Sequence, residues 1–271
     1  MQKAPNLFAA AILFVSGLFF ITIACGALSA PLPGHTSTAL PLAPTVPPTQ
    51  TSIPLYQQVA LQSVPFEEQG QPFGYTITAQ TPRLVGSSDP RLKSFNDEMN
   101  VTVQQFIADF KTNLAQLQPT PVSAASTFDL KYNLLSPPGN ILSLKFEIET
   151  YYTGAAHPGH VSKSVSYDLE QGHDLDLADL FVPDADYLGA LSKYCTAQLS
   201  TRDIGFQDFE LGATATADNY RNWNITADGL MITFDEYQVA PYAAGPQTVV
   251  IPYQDLGALI QPNGLLAPYL H

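Results

Sequence analysis

From Tyr56 onward, apolar residues recur at two spacings, every second residue in some stretches and every third or fourth in others, the mark of strands mixed with a few helices. The clearest alternation sets Leu142, Leu144, Phe146 and Ile148 against Ser143, Lys145, Glu147 and Glu149, so one face is apolar and the other polar and charged. Phe73, Tyr75, Ile77 and Ala79 alternate in the same way, as do Phe128, Leu130, Tyr132 and Leu134, and each run predicts a strand with one buried face. One solvated face favours antiparallel pairing. Between these runs, Leu92, Phe95, Met99, Val103, Phe106, Phe110, Leu114 and Leu117 follow steps of three and four and predict a helix that covers the sheet. Asp89 is its N-cap, Pro90 its first helical residue, and it closes before Pro119.

The second half carries the same mixture. A strand is expected at Val161 to Leu169, a turn at Gln171-Gly172 and a helix from about Asp184 to Leu199, with Leu188, Leu191, Cys195 and Leu199 on one face. That placement makes Cys195 a buried hydrophobe rather than a reactive thiol. Strands at Leu230 to Phe234 and Val249 to Ile251 precede a short helix near Asp255. The expected class is α+β, with antiparallel sheets each covered by a helix and two small subdomains, 56–150 and 151–271, in one compact region.

Ahead of this region the pattern changes twice. Leu7 to Leu28 is an uncharged apolar run behind Lys3, as in an export signal or anchor. It ends in Thr22-Ile23-Ala24-Cys25-Gly26, which resembles the lipobox of bacterial lipoproteins, with Thr22 where that pattern has Leu. The expectation is a signal over 1–25 with Cys25 lipidated; a signal anchor and a secreted chain are the alternatives, and all three put the body outside the cytoplasm. Residues 26–55 are rich in Pro, Thr and Ser, the composition of an extended solvated spacer.

Charge narrows the partners. Against 24 acidic residues stand 11 basic ones, a net −13, so nucleic acid, which is bound by neutralising phosphates, is not an expected partner. Such a surface is soluble and attracts cationic proteins or metal ions. No Gly-x-Ser-x-Gly, His-Glu-x-x-His, Gly-rich phosphate loop or Cys-x-x-Cys is present.

Three constellations carry possible chemistry. His157 and His160 lie in a loop of small residues after Tyr151-Tyr152; as a metal pair they lack a third ligand set by spacing, and Pro158-Gly159 between them is turn chemistry. Asp168, Asp174, Asp176 and Asp179 lack EF-hand spacing and read as a solvated face. Phe234 to Pro246 joins two strands with Asp235, Glu236, Tyr237 and Tyr242; adjacent carboxylates point to opposite faces, so Asp235 and Glu236 make a poor catalytic dyad, while Tyr237 and Tyr242 either recognise a ligand or pack the loop. No catalytic residue, metal or cofactor is assigned.

Taken in order, Tyr152-Thr153-Gly154-Ala155-Ala156-His157, Ser166 to Leu169, Leu177 to Phe181, Tyr237 to Pro246 and Val250 to Tyr253 resemble the RsiV-like and PdaC-type extracytoplasmic domain family. This is the family of the C-terminal domain of lysozyme-sensing anti-sigma factors and of the non-catalytic region of peptidoglycan deacetylases. Ala155 stands where the signature has its second glycine. The resemblance covers about residues 56–260 and includes neither a sigma-binding segment nor a deacetylase domain. It implies the extracytoplasmic module alone: a binding module for a protein or peptidoglycan-related ligand, with a lysozyme-like cationic protein as one partner. Ligand-binding candidates are then Tyr152, His157, His160, Tyr237, Pro241 and Tyr242. The alternative is a cell-wall or ester hydrolase with His157 as base.

Overall fold

The computed structural model describes residues 53–71, 74–117 and 125–270. The expected signal over 1–25, with Cys25, and nearly all of the expected 26–55 spacer lie outside the described residues, as do Phe73 and Pro119. Among the described residues no helix is long and apolar enough to cross a membrane.

The architecture is α+β. A six-stranded sheet runs in chain order through β1 (Ala60–Gly70), β2 (Tyr75–Val85), β3 (Ser126–Leu134), β4 (Ile141–Tyr151), β5 (Gly159–Asp168) and the two-residue β6 (His173–Asp174). α1 (Pro90–Ala115) begins as its sequence dictates, with the Asp89 carboxylate accepting from Arg91 N and Pro90 in the first turn. Its stripe, Leu92, Phe95, Met99, Val103, Ile107, Phe110 and Leu114, buries against Ile77, Phe128, Leu130, Leu144, Phe146 and Tyr167. Ile107, not Phe106, takes the inward position; both satisfy the step from Val103 to Phe110, and Phe106 flanks the stripe half-buried.

One expectation fails here. β2 and β3 pair in parallel, Ile77 opposite Phe128, because α1 connects them as a crossover; every other pairing in the sheet is antiparallel.

A second, antiparallel sheet of β7 (Trp223–Ile225), β8 (Leu230–Phe234) and β9 (Gln247–Ile251) carries α2 (Tyr187–Leu199), and α3 (Tyr253–Leu256) follows. Its core includes Leu191, Cys195, Leu199, Ile232, Phe234 and Ile251. Cys195 is fully buried, and desolvation pushes its thiol up to about 12, so it is a core residue. The expected subdomain boundary at 150 falls in the hairpin between β4 and β5, inside one continuous sheet. The two apolar cores are instead divided by the faces of that sheet: α1 covers one, and the second sheet packs on part of the other.

The junction holds a buried polar network. Asn224 Nδ2 donates to Ser143 Oγ (3.0 Å) and to the Leu144 carbonyl (2.9 Å), and Ser164 Oγ donates to Asn224 Oδ1 (2.8 Å). All are buried, and a fully paired network of this kind fixes one register of sheet on sheet. On the α1 side, half-buried Glu98 meets Asp174 of β6; burial first, then the Asp174 hydrogen bond and charge, raise its pKa to about 8 against the pull of Lys163. The acidic series read as one solvated face is divided: Asp168 accepts from Glu170 N and Gln171 N in a turn, and Asp176 and Asp179 form a capping box.

Candidate functional site

β5 bonds β4 along one side, whereas β6 covers only Tyr167 and Asp168 on the other. The amides of His160, Ser162 and Ser164 thus point from an open edge, and a buried N–H left unpaired costs about 1–3 kcal/mol. Side chains from the second sheet and its loop meet each one. Glu236 Oε2 accepts from His160 N (3.1 Å), Asp235 Oδ1 from Ser162 N (2.8 Å) and Asn222 Oδ1 from Ser164 N (3.2 Å). Asp235 Oδ2 also accepts from Arg221 (2.9 Å) and Asn222 (3.1 Å). Asp235 and Glu236 are therefore not a catalytic pair; they hold the loop after β8 against the sheet.

Glu236 does so twice. Its Oε1 lies 2.6 Å from His160 Nδ1, and Glu149 Oε2 lies 2.9 Å from Nε2. Both partners are carboxylates, so the ring fits this geometry with a proton on each nitrogen. Burial draws the His160 pKa down, but the two carboxylates outweigh it and hold the value above the usual histidine range. An imidazolium so placed has no lone pair for a metal or for a base. His157 goes elsewhere: its Nδ1 donates to the Pro158 carbonyl (2.8 Å) and its ring stacks on Tyr242 at 3.8 Å. The two histidines do not converge on a metal, and among the described residues no group has the arrangement a metal site needs.

Tyr242 joins two segments far apart in sequence. Tyr237 stacks near it at 6.0 Å, and the His160 ring lies 6.5 Å away. Tyr237 is 55% exposed and has φ 63°, a left-handed conformation that a bulky residue adopts only under constraint. The constraint is Gln238, whose amide donates to the carbonyls of Gly212 (3.0 Å) and Asn219 (2.9 Å) and whose Oε1 accepts from Asp235 N (3.2 Å).

Beside these rings runs a groove of about 680 Å³. Its floor is the part of the sheet that the second sheet leaves uncovered: Asp129 and Lys131 on β3, Lys145, Glu147 and Glu149 on β4, His160 and Ser162 on β5. Tyr242 and the small residues Ala243, Ala244, Gly245 and Pro246 form the wall. The floor cations are paired, Lys131 with Asp129 (2.8 Å), Lys145 with Glu147 (3.5 Å) and His160 with Glu149 and Glu236.

Of the six candidates, the fold gathers His157, His160, Tyr237 and Tyr242. Pro241 is exposed and precedes the short 3-10 turn Tyr242–Ala244; it shapes the loop and does not line the groove. Tyr152 is a correction: it stacks on Phe110 at 5.4 Å in the α1 core, on the opposite side of the sheet from the groove. From the sequence, Lys145, Glu147 and Glu149 make an ordinary solvated strand face, and the one signal for them is the alternation of charged residues along β4.

Residues 178–254 match the family described as Protein of unknown function (DUF3298). That stretch holds the second sheet and the Tyr237 to Pro246 loop, and begins after the histidine loop. The chain is 26% identical over 163 residues to the peptidoglycan-N-acetylmuramic acid deacetylase PdaC of Bacillus subtilis, covering 58% of this chain and 35% of that protein. The chain thus spans about a third of that relative's length. It is 22% identical over 173 residues to the immunogenic protein MPT64 of Mycobacterium tuberculosis, covering 63% of this chain and 73% of that one. A solved DUF3298 family structure from Bacteroides fragilis superposes with a TM-score of 0.62 at 18% identity, over 78% of this chain and 97% of the other. Another, from Pseudomonas aeruginosa, gives 0.55 at 15%, over 78% and 98%. Both share the α+β fold.

Proposed function

We propose that this protein is an extracytoplasmic binding module, held at the outer face of the membrane through Cys25 and the 26–55 spacer, whose groove takes a ligand of the cell envelope. The observation that carries the reading is the convergence of Tyr237, Tyr242 and His157 beside an ion-paired groove whose histidine, His160, is held between two carboxylates. Exposed rings on a strained, anchored loop are a recognition surface. The net charge of −13 and the resemblance to lysozyme-sensing domains support a cationic protein as one class of ligand, and the similarity to a peptidoglycan deacetylase supports a wall glycan as another.

The test is retention of the protein on immobilised lysozyme and on purified cell-wall sacculi, at low and high salt. Retention on either that Tyr237→Ala together with Tyr242→Ala weakens supports the reading; retention on neither at low salt overturns it. One observation favours the rival, a cell-wall or ester hydrolase: the Nδ1 bond to the Pro158 carbonyl and the stack on Tyr242 fix the His157 ring beside the groove, with Nε2 as the nitrogen a base would use. Release of acetate or reducing ends from sacculi, lost in His157→Gln, would establish that rival instead.

A further inference from the structure

We propose that the groove binds an uncharged glycan chain, its sugar faces against Tyr242 and its neighbouring rings and its hydroxyls on the ion-paired floor; this rests on the groove being the binding site. Three features of the groove select that chemistry.

The first is charge. Four carboxylates, Asp129, Glu147, Glu149 and Glu236, meet two lysines and the His160 imidazolium, a surplus of one negative charge. A polyanion meets no net attraction there. A polycation gains little, since Lys131, Lys145 and His160 already occupy those carboxylates. What the floor offers is ammonium donors and carboxylate acceptors side by side. A hydroxyl, which donates and accepts at once, fits such a surface.

The second is the wall. Tyr242 supplies an aromatic face for the apolar C–H side of a sugar ring, and Ala243, Ala244 and Gly245 leave room for close approach. Tyr237 and His157 extend the aromatic surface past the groove. A volume of about 680 Å³ lies within the range of sites that enclose most of a small ligand.

The third counts against a peptide added as a strand. That mode requires free backbone groups on a sheet edge. On β5 the amides of His160, Ser162 and Ser164 are already taken by Glu236, Asp235 and Asn222. Recognition here runs through side chains.

The experiment is calorimetric titration of the protein with the hexasaccharides of β-1,4-linked N-acetylglucosamine and glucose, and with hexalysine, at low and high salt. The expected result is saturable binding of a glycan, insensitive to salt, weakened about tenfold by Tyr242→Ala and restored by Tyr242→Phe. Amide shifts at Ala243 to Gly245 on glycan addition to the unaltered protein give a readout independent of any variant's folding. No saturation by either hexasaccharide overturns the inference, as does glycan binding indifferent to Tyr242→Ala with those amides unmoved. Hexalysine binding with steep salt dependence and no glycan binding also overturns it, and leaves the binding-module reading standing. Failure of lysozyme and sacculus retention as well removes both.

Discussion

Glu98 offers a measurement of how α1 is clasped to the edge of the sheet. Its carboxyl sits half-buried beside Asp174, with Lys163 as the opposing cation, and its pKa is raised from 4.5 to about 8. A raised folded-state value means the folded protein holds the proton more tightly than the unfolded chain. The stability tied to that proton is complete below about pH 4.5 and is lost as pH rises through about 8. At about 1.4 kcal/mol per tenfold change in proton affinity, the interval bounds the loss at about 5 kcal/mol; screening of a half-buried pair reduces it to about 1–2 kcal/mol. Glu98→Gln keeps a hydrogen-bond donor toward Asp174 and never ionises. Urea unfolding should show the variant more stable than the parent by about 1–2 kcal/mol at about pH 9, and equal to it within about 0.5 kcal/mol near pH 4.5. Asp174→Asn should give a similar alkaline gain, and the double variant should gain less than the sum, since one repulsion is removed by either change. A stability difference for Glu98→Gln that does not change with pH would refute the reasoning.

Three further outcomes follow from the site and its support. His160→Gln leaves the Glu236 side chain, 8% exposed, without its cation, and should cost about 1–3 kcal/mol in urea unfolding. Because the His160 pKa is raised, that cost should be greatest below the ordinary histidine range and shrink as pH rises through the folded value. Asn224→Ala takes from Ser164 Oγ its acceptor and removes the donor to Ser143 Oγ and the Leu144 carbonyl in the buried junction, and should lower stability by about 2–4 kcal/mol, read as a fall in the urea midpoint with the slope unchanged. Tyr237→Asn places a residue tolerant of left-handed backbone at φ 63° and should raise the melting temperature, by about 0.5–1 kcal/mol of stability, while weakening retention on the envelope ligand.

The sequence made the periodic elements plain. α1, α2, β4 and β8 each show their buried face as spacing, and Asp89-Pro90 marks a helix start by local chemistry alone. Periodicity says which face is buried, not which strand lies alongside, so the parallel pairing of Ile77 with Phe128 across α1 was not legible. The same limit hid the clasp: His160 and Glu236 are 76 positions apart, and nothing local to either names the other. Tyr152 was misplaced because its motif carries the loop as a block, whereas the chain there is leaving β4 and still turns one ring toward Phe110. Tyr237 and Tyr242 presented two readings of equal standing from the residues; their stack with His157 required the fold to bring two loops together.

The burial of Cys195 has a use in the chemistry of labelling. The chain has two cysteines, and this one is fully enclosed with its thiol pushed up to about 12. A thiol reagent applied to the folded protein therefore reads Cys25 alone. Uptake of label by the native protein means a free Cys25; label that enters only after denaturation means that Cys25 is blocked or gone, and a mass shift on the N-terminal peptide tells a lipid from a cleavage. The core of the second sheet thus supplies the silent background against which the fate of Cys25 can be scored.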